Sequence, residues 1–180
     1  DITLVGVLDT DQGLYSADFR AAEHLAQLIT QVAGRAGRAH KPGEVLIQTH
    51  HPDHPLLQTL LHQGYDGFAH AALAERELAG FPPYRHLALL RSESIKPEAG
   101  TAFMESAREL LGDNAAIEIF GPLPAPMEKR AGRYRLQLVV QSPERKALHR
   151  ALQPWVQSLS RLKTASRVRW SLDVDPYDTY

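Results

Sequence analysis

The 180-residue chain contains no cysteine. Disulfide bonds and zinc sites built on thiolates are therefore excluded within it, which is compatible with the cytoplasm. No stretch approaches the roughly 18 consecutive apolar residues of a membrane-spanning helix. Neither a GxxxxGK-S/T loop nor a DExH-type box occurs, so these residues alone cannot cradle the β-phosphate of a nucleotide or hold its Mg²⁺.

The chain also lacks a large excess of charge of either sign, because its net charge at pH 7 is −1. A nucleic-acid-binding surface would therefore have to be a local patch. The length suits one or two small domains. The chain starts directly in an apolar run, residues 2–8, without a basic n-region or a cleavage site. We therefore expect an interior piece of a longer protein and no signal peptide.

The first half of the chain has the pattern of a strand, a helix and a second strand. Residues 2–8 and 43–49 are short apolar runs, typical of buried strands in a parallel sheet. The loop over residues 9–14 follows the first strand, at the sheet edge where α/β folds place ligands. A helical apolar stripe lies between the two strands and consists of Ala22, Leu25, Leu28, Ile29 and Val32. This order predicts a βαβ unit.

The predicted helix ends in an unusual octapeptide, QVAGRAGR, over residues 31–38. Its glycines, Gly34 and Gly37, allow positive φ angles and a close approach of the backbone to a ligand. Its arginines, Arg35 and Arg38, carry planar, permanently charged groups that suit phosphate oxygens. The alternative is a surface turn that caps the helix. The octapeptide resembles QxxGRxxR, the last conserved motif of superfamily-2 helicases, which faces the ATP γ-phosphate between two RecA-like lobes.

A cluster of three histidines and an aspartate, residues 50–54, is a possible metal site. Two prolines stiffen this region, however, and the adjacent His50 and His51 cannot easily converge on one ion. We therefore expect no metal site, but a polar turn that leads into a helix over residues 56–62. A further helix is predicted over residues 65–80.

The prolines at Phe81-Pro82-Pro83-Tyr84 end that helix, and we place a domain boundary there, with domains 1–80 and 81–180. Residues 121–126 are expected to form a rigid, proline-rich connection, and Pro154 to kink or restart the last helix. The predicted elements of the second domain are strands over 86–92, 116–120, 133–141 and 168–174, a helix over 97–111 and a helix that starts at 142–144. The order β-α-β-β-α-β predicts a ferredoxin-like sheet with helices on one face.

Several segments, taken in order, resemble one family. They are LVGVLDTDQGLYSADFRAAE (4–23), QVAGRAGR (31–38), GEVLIQT (43–49), ERELAGFPPYRHLALL (75–90), GPLPAPMEKRAGRYRLQLVVQS (121–142) and VRWSLDVDP (168–176). The chain resembles the C-terminal quarter of the PriA family of bacterial primosomal helicases, also called primosomal protein N-prime. The resemblance implies an α/β chain: the end of a RecA-like second helicase lobe over residues 1–80, with the end of motif V and motif VI, and a C-terminal domain over residues 81–180.

The resemblance also implies a function. Members of this family are ATP-dependent 3′–5′ DNA helicases that recognise stalled or repaired replication forks and restart replication by primosome assembly. The implied partners are forked and single-stranded DNA, the C-terminal tail of single-stranded DNA-binding protein and other primosome proteins, in a cytoplasmic, nucleoid-associated setting without a membrane. The Walker motifs and the zinc-binding cysteines lie upstream in the family. This segment alone should therefore be inactive, with ATP and Mg²⁺ bound mainly by upstream residues and Zn²⁺ only there.

The motif residues receive roles from this resemblance. Arg38 would be the arginine finger that stabilises charge on the transferred γ-phosphoryl group, and Arg35 would hold the γ-phosphate. Gln31 would orient the phosphate or couple it to the attacking water, and Gly34 completes the ATP-binding set. Three further candidates lie where motif V links the nucleotide to DNA: Asp9, Asp11 and Gln12.

The segment from residue 128 to 150 carries seven lysines and arginines against two glutamates. Five of its residues are candidate contacts to DNA phosphates and bases, in a non-specific and salt-sensitive manner: Lys129, Arg130, Arg133, Tyr134 and Arg135. The alternative is a solvated hairpin tip. Three cations on the next helix could receive an acidic peptide with an apolar end, beside exposed parts of Trp155, or could form an ordinary charged helix face: Arg145, Lys146 and Arg150.

The competing function class is a non-enzymatic module that binds nucleic acid or a partner protein. The isolated chain would behave in this way, since it lacks half of an ATP site. A Walker A motif in the upstream reading frame would decide between motor and module.

Overall fold

The computed structural model describes residues 3–16, 18–36, 43–112 and 114–179. The chain divides into two compact units, Asp1–Ala79 and Gly80–Tyr180. The domain boundary predicted from the prolines lies one residue further along the chain. Mixed α/β architecture is confirmed. Within the described residues, no helix has both the length and the apolar character that crossing a membrane requires.

The first unit is built around two short parallel strands. Strand β1 pairs with strand β2, with Val5 opposite Val45 and Gly6 opposite Leu46. The elements, in chain order, are β1 (Leu4–Val7), α1 (Asp11–Leu14), α2 (Ala21–Ala33), β2 (Glu44–Ile47) and α3 (Pro55–Ala79). The β1-α2-β2 order is the predicted βαβ unit.

Among the described residues, helices cover one face of this two-stranded sheet and leave the other without a helix. The core lies on the covered face and consists of Val7, Ala26, Ile29, Leu56, Leu57, Leu60 and Phe68. Leu4 and Leu46 alternate to the other face, where they are 55% and 53% exposed. The prediction of fully buried strands is therefore wrong for the described residues, because α2 and α3 both pack on the Val7 face.

The long helix α3 is interrupted at Gly64, whose φ of 72° and ψ of −170° are not helical. The glycine separates a first segment, which contributes Leu56 and Leu60 to the core, from a second segment that contributes Phe68. The two helices predicted over residues 56–62 and 65–80 are thus present, on either side of a residue without the Cβ that disfavours this conformation.

The second unit is a four-stranded sheet with two helices. The strand order is β4-β5-β3-β6, and all neighbouring pairs are antiparallel. The elements, in chain order, are β3 (His86–Ser94), α4 (Pro97–Leu111), β4 (Glu118–Arg130), β5 (Arg133–Ser142), α5 (Arg145–Leu159), a 3₁₀ helix (Ala165–Arg167) and β6 (Arg169–Val174). Helix α4 has the predicted bounds.

Both helices of this unit pack on one face of the sheet. The core joins Ala88, Leu90, Leu138 and Val140 of the strands to Phe103, Met104, Ala107, Leu148, Leu152, Trp155 and Leu159 of the helices. Helix α5 runs through Pro154 as one element, so the predicted restart does not occur.

The proline-rich segment after Phe120 belongs to the sheet. Strand β4 runs from Glu118 to Arg130 and pairs with β5, with irregular register between Phe120 and Leu123 and between Pro124 and Lys129. The prediction of a separate connection over residues 121–126 is therefore wrong. Proline is tolerated here because β4 is an edge strand, in which a missing N–H interrupts no second ladder.

Candidate functional site

The octapeptide motif begins in the last turn of α2, which contains Gln31. Gly34 has φ −67° and ψ −11°, and its N–H donates to the Thr30 carbonyl, so Gly34 does not use the positive φ that glycine allows. The helical geometry continues one residue further, since the Arg35 N–H donates to the Val32 carbonyl at 3.0 Å. Gln31 and Arg35 are both exposed. Gly37 and Arg38 lie outside the described residues.

The carboxyl ends of β1 and β2 are joined through Asp11. Its carboxylate accepts a hydrogen bond from the Thr49 hydroxyl and another, at 3.0 Å, from the His50 N–H. The same bonds, first that of Thr49 and then that of His50, lower the pKa of Asp11. Thr10 adds a hydroxyl bond of 2.8 Å to the Gln48 carbonyl.

The loop predicted over residues 9–14 is wrong in part, because Asp11–Leu14 form the short helix α1. The Gln12 side-chain amide donates to the Asp9 carboxylate at 2.6 Å, and Asp9 has a φ of 55°. The segment is thus ordered by its own side chains at the strand end where α/β sheets bind ligands.

The histidine segment packs against an aromatic ring. Tyr15 makes edge contacts to His51 and His54, with ring centroids 4.7 Å and 5.4 Å apart. In the described part of the chain, no group of three or more potential ligands is arranged to hold a metal ion.

The basic segment of the second unit forms the hairpin between β4 and β5. Ala131 and Gly132 form its two-residue turn, with φ angles of 47° and 75°, as a type I′ turn requires. The Lys129 ammonium lies 4.6 Å from the centre of the Tyr134 ring and donates to its hydroxyl at 3.3 Å. Arg130 pairs with Arg133 across the turn. The hairpin therefore carries Lys129, Arg130 and Arg133 within two residues of its turn.

Arg135 lies in a different environment from the other candidates. Its side chain is only 14% exposed and contacts the Glu93 carboxylate of β3 at 3.5 Å. Its charge is therefore partly neutralised within the sheet, whereas no ion pair involves Lys129, Arg130 or Arg133 among the described residues.

The structure changes the interpretation of helix α5. Arg145 donates to the Asp175 carboxylate at 2.6 Å, while Lys146 and Arg150 are exposed. Trp155 is only 3% exposed, and its indole N–H donates to the Ala107 carbonyl at 2.8 Å. The expectation that part of Trp155 is exposed is wrong, because the ring fills the core between α4 and α5.

A cleft of about 720 Å³ in the second unit was missed by sequence reasoning. We call it the α4 cleft. It is lined by Ile95, Lys96, Glu98, Ala99, Ala102, Arg133, Thr164 and Arg167. These residues come from three separate parts of the chain. The signal that the sequence offers is one cation in each part, namely Lys96, Arg133 and Arg167.

Comparison with known proteins follows the same division of the chain. A family model described as the primosomal protein N C-terminal domain matches residues 77–177. The replication restart protein PriA of Haemophilus influenzae is 44% identical over 180 residues, which cover 99% of this chain and 24% of the relative.

Two more distant relatives carry the same name. The replication restart proteins PriA of Synechocystis sp. and Bacillus subtilis are 40% and 38% identical over 181 residues. The matches cover 97% and 98% of this chain but 21% and 22% of the relatives. The chain thus spans about a quarter of the length of the curated relatives it matches.

Proposed function

The chain belongs to the family of the primosomal protein N C-terminal domain, and we propose that it is the C-terminal part of an ATP-dependent 3′–5′ DNA helicase. This helicase recognises stalled or repaired replication forks and restarts replication by primosome assembly in the cytoplasm, at the nucleoid. The observation that carries the proposal is the family match over residues 77–177, together with relatives named replication restart protein PriA that align with nearly the whole chain.

We assign the first unit to the end of a RecA-like lobe. The parallel pair β1-β2 with its connecting helix α2 has the required order. Parallel sheets in α/β proteins are covered on both faces, whereas Leu4 and Leu46 leave one face of this pair apolar and half exposed. The remainder of a helicase lobe would cover that face.

We assign the second unit to the ferredoxin-like class. Its β-α-β-β-α-β element order, its antiparallel strand order β4-β5-β3-β6 and the position of α4 and α5 on one face support this assignment.

The motif residues fit an ATP phosphate. Arg35 is exposed and forms no ion pair with any described residue, so its planar guanidinium can bind phosphate oxygens without first breaking a contact. Gln31 is exposed one helical turn earlier and would orient the phosphate or the attacking water. Gly34 adds no side chain between them. Arg38 would act as the arginine finger, an effect worth about 10³–10⁵ in rate in other nucleotide hydrolases.

The remaining parts of the ATP site belong to upstream residues in this proposal. ATP supplies the γ-phosphoryl group that is transferred to water, and Mg²⁺ is bound mainly upstream. Zn²⁺ is likewise assigned upstream, since this chain has no cysteine. Asp11 would act as a positioning residue, because it fixes the loop after β1 to the loop after β2 through Thr49 and His50.

The β4–β5 hairpin is proposed as a contact to forked and single-stranded DNA. Three of its cations form no ion pair with any described residue and can bind phosphates without sequence preference: Lys129, Arg130 and Arg133. Tyr134 supports Lys129 through its ring and hydroxyl. Arg135 would stabilise the sheet beneath the hairpin and would not bind DNA directly, because its side chain already contacts the Glu93 carboxylate.

Helix α5 is proposed as a contact to the C-terminal tail of single-stranded DNA-binding protein and to other primosome proteins. Lys146 and Arg150 are exposed and can bind acidic residues. Arg145 can join them only if its bond to Asp175 opens. Trp155 takes no part in this contact.

A second function, a non-enzymatic DNA- or partner-binding module, is favoured by one observation. The second unit has its own core and carries both the hairpin and the α5 cations, so it can bind ligands without an ATP site.

Strand displacement on forked DNA distinguishes the two functions. The longer natural protein that contains this chain should unwind a fork in the presence of ATP, and Arg38→Ala should abolish unwinding while fork binding is retained. Arg161→Ala, an exposed arginine outside the motif, is the matched control. Fork binding without unwinding by the unaltered protein would favour the module.

A further inference from the structure

The α4 cleft collects three cations that have no carboxylate partner among the described residues. Lys96 lies just before α4, Arg133 starts β5 and Arg167 ends the 3₁₀ helix. The only acidic residue in the lining is Glu98, so the cleft keeps an excess of positive charge. The lining therefore attracts a ligand that carries negative charge.

The interior of the cleft is apolar. Ile95 is 68% exposed there, and Ala99 and Ala102 on α4 present only methyl groups. Small side chains on a helix leave room for a flat group to lie against the helix surface. A ligand that combines an apolar, planar body with an anionic group matches both properties of the lining.

The lining also holds one charged acceptor. The Glu98 carboxylate lies in the lining and can accept a hydrogen bond from an N–H group on the edge of a base.

The cleft is continuous with the basic hairpin through Arg133. This residue lines the cleft and also pairs with Arg130 directly after the Ala131–Gly132 turn. Arg130 of the hairpin thus follows the three cations of the lining, Lys96, Arg133 and Arg167, in a path that extends beyond a single anionic group. Such a path fits a chain with regularly spaced phosphates.

We propose that the α4 cleft is a nucleotide subsite for single-stranded DNA: one unpaired base lies against Ile95, Ala99 and Ala102, and its flanking phosphates lie on Lys96, Arg133 and Arg167. This inference rests on the proposed DNA-binding function and names the part of DNA that this unit recognises. Duplex DNA cannot occupy the cleft in this way, because its bases are stacked and paired.

The test measures fluorescence anisotropy of the full chain with a labelled strand of about 12 thymidines and with an abasic strand of equal length. The unaltered chain should bind the thymidine strand more tightly, by about fivefold, because the base buries apolar surface against Ile95 and the two alanines. Ala102→Trp should remove this difference by filling the cleft. Arg167→Ala should reduce the slope of log affinity against log salt by about 0.7, the value for one phosphate contact in single strands.

Matched controls are available in the same unit. Ala115→Trp alters an exposed alanine outside the α4 cleft, and Arg161→Ala removes an exposed arginine that does not line it. Both should bind like the unaltered chain. Circular dichroism and thermal unfolding establish that each variant is folded.

The outcomes separate this inference from the proposed function. If Lys129→Glu weakens DNA binding but the unaltered chain binds thymidine and abasic strands equally, the DNA contact stands and the nucleotide subsite is wrong. If the chain binds neither strand at about 50 mM salt, both proposals are wrong. A peptide of four glutamates and a terminal phenylalanine is tested in parallel. Weakening of peptide binding alone by Ala102→Trp would assign the cleft to an acidic peptide instead.

Discussion

The carboxylate of Asp11 accepts a hydrogen bond from the hydroxyl of Thr49, although 38 residues separate them in sequence. The bond joins the loops that follow β1 and β2. Any displacement of one loop is therefore transmitted to the other, which includes the His50 backbone that also binds Asp11.

This bond predicts a pH dependence. The pKa of Asp11 is lower in the folded chain than its ordinary value of about 4. Ionised Asp11 therefore contributes stability that is fully present above about pH 4 and is lost as the pH falls through the lower, folded pKa. Thr49→Val removes the largest cause of the shift, so the Asp11 pKa measured by carboxyl NMR titration should rise.

The control for this titration is Thr59→Val, since the Thr59 hydroxyl bonds only within α3, to the Pro55 carbonyl. It should leave the Asp11 titration unchanged. An Asp11 pKa that is the same in Thr49→Val and in the unaltered chain would contradict the assigned contact.

Trp155 is predicted to be a structural residue. Trp155→Phe removes the N–H that donates to Ala107 and leaves a smaller ring in the core. The free energy of unfolding in urea should fall by about 1–3 kcal/mol. The neighbouring Val156 is 37% exposed, and Val156→Ala should cost less than about 1 kcal/mol. Equal costs for the two variants would contradict the burial of the indole.

Gly121 is predicted to be irreplaceable in the edge strand. It has a φ of 106°, and a Cβ there would lie 2.9 Å from the Gln137 carbonyl oxygen and 3.0 Å from the Leu123 nitrogen. Gly121→Ala should therefore lower the free energy of unfolding by about 2 kcal/mol or more. Gly112 also has a positive φ but has open space around it, so Gly112→Ala should cost only its backbone strain, about 1–3 kcal/mol. A milder effect at Gly121 than at Gly112 would refute the close contact.

The hairpin is predicted to bind DNA through its charge. Lys129→Glu with Arg130→Glu should weaken duplex and single-strand binding by about tenfold or more at low salt, with a smaller salt dependence. Arg161→Glu with Lys163→Glu makes the same charge change at two exposed sites outside the hairpin and should have a much smaller effect. Binding isotherms at several salt concentrations measure both. Equal effects would indicate a response to net charge alone.

Local patterns in the sequence predicted much of this fold. Helix α4 was identified with its bounds because Pro97 starts it and its apolar side chains recur at helical spacing. The glycine break within α3 and the βαβ order were likewise local properties. The full extent of strand β4 is not predictable from local sequence, because its prolines are compatible with a strand only at a sheet edge. The position of β4 in the sheet is a property of the whole unit.

The candidate site shows the same limit. Arg145 and Arg135 read as free cations in the sequence, yet Asp175 and Glu93, distant along the chain, bind them. The α4 cleft could not be foreseen, since Ile95, Arg133 and Arg167 meet only after the sheet and both helices are assembled. Charge in a sequence is therefore a guide to a binding surface only after its partners in space are known.

The central claim is that the motif at the end of α2 completes an ATP site, and ATP hydrolysis tests it most directly. The longer natural protein is compared with its Arg38→Ala and Arg35→Ala variants, with and without forked DNA, and with Arg161→Ala as the control. We predict DNA-stimulated turnover that falls by about 10³-fold or more in Arg38→Ala and is retained in the control. Normal stimulated turnover in both motif variants would contradict the claim.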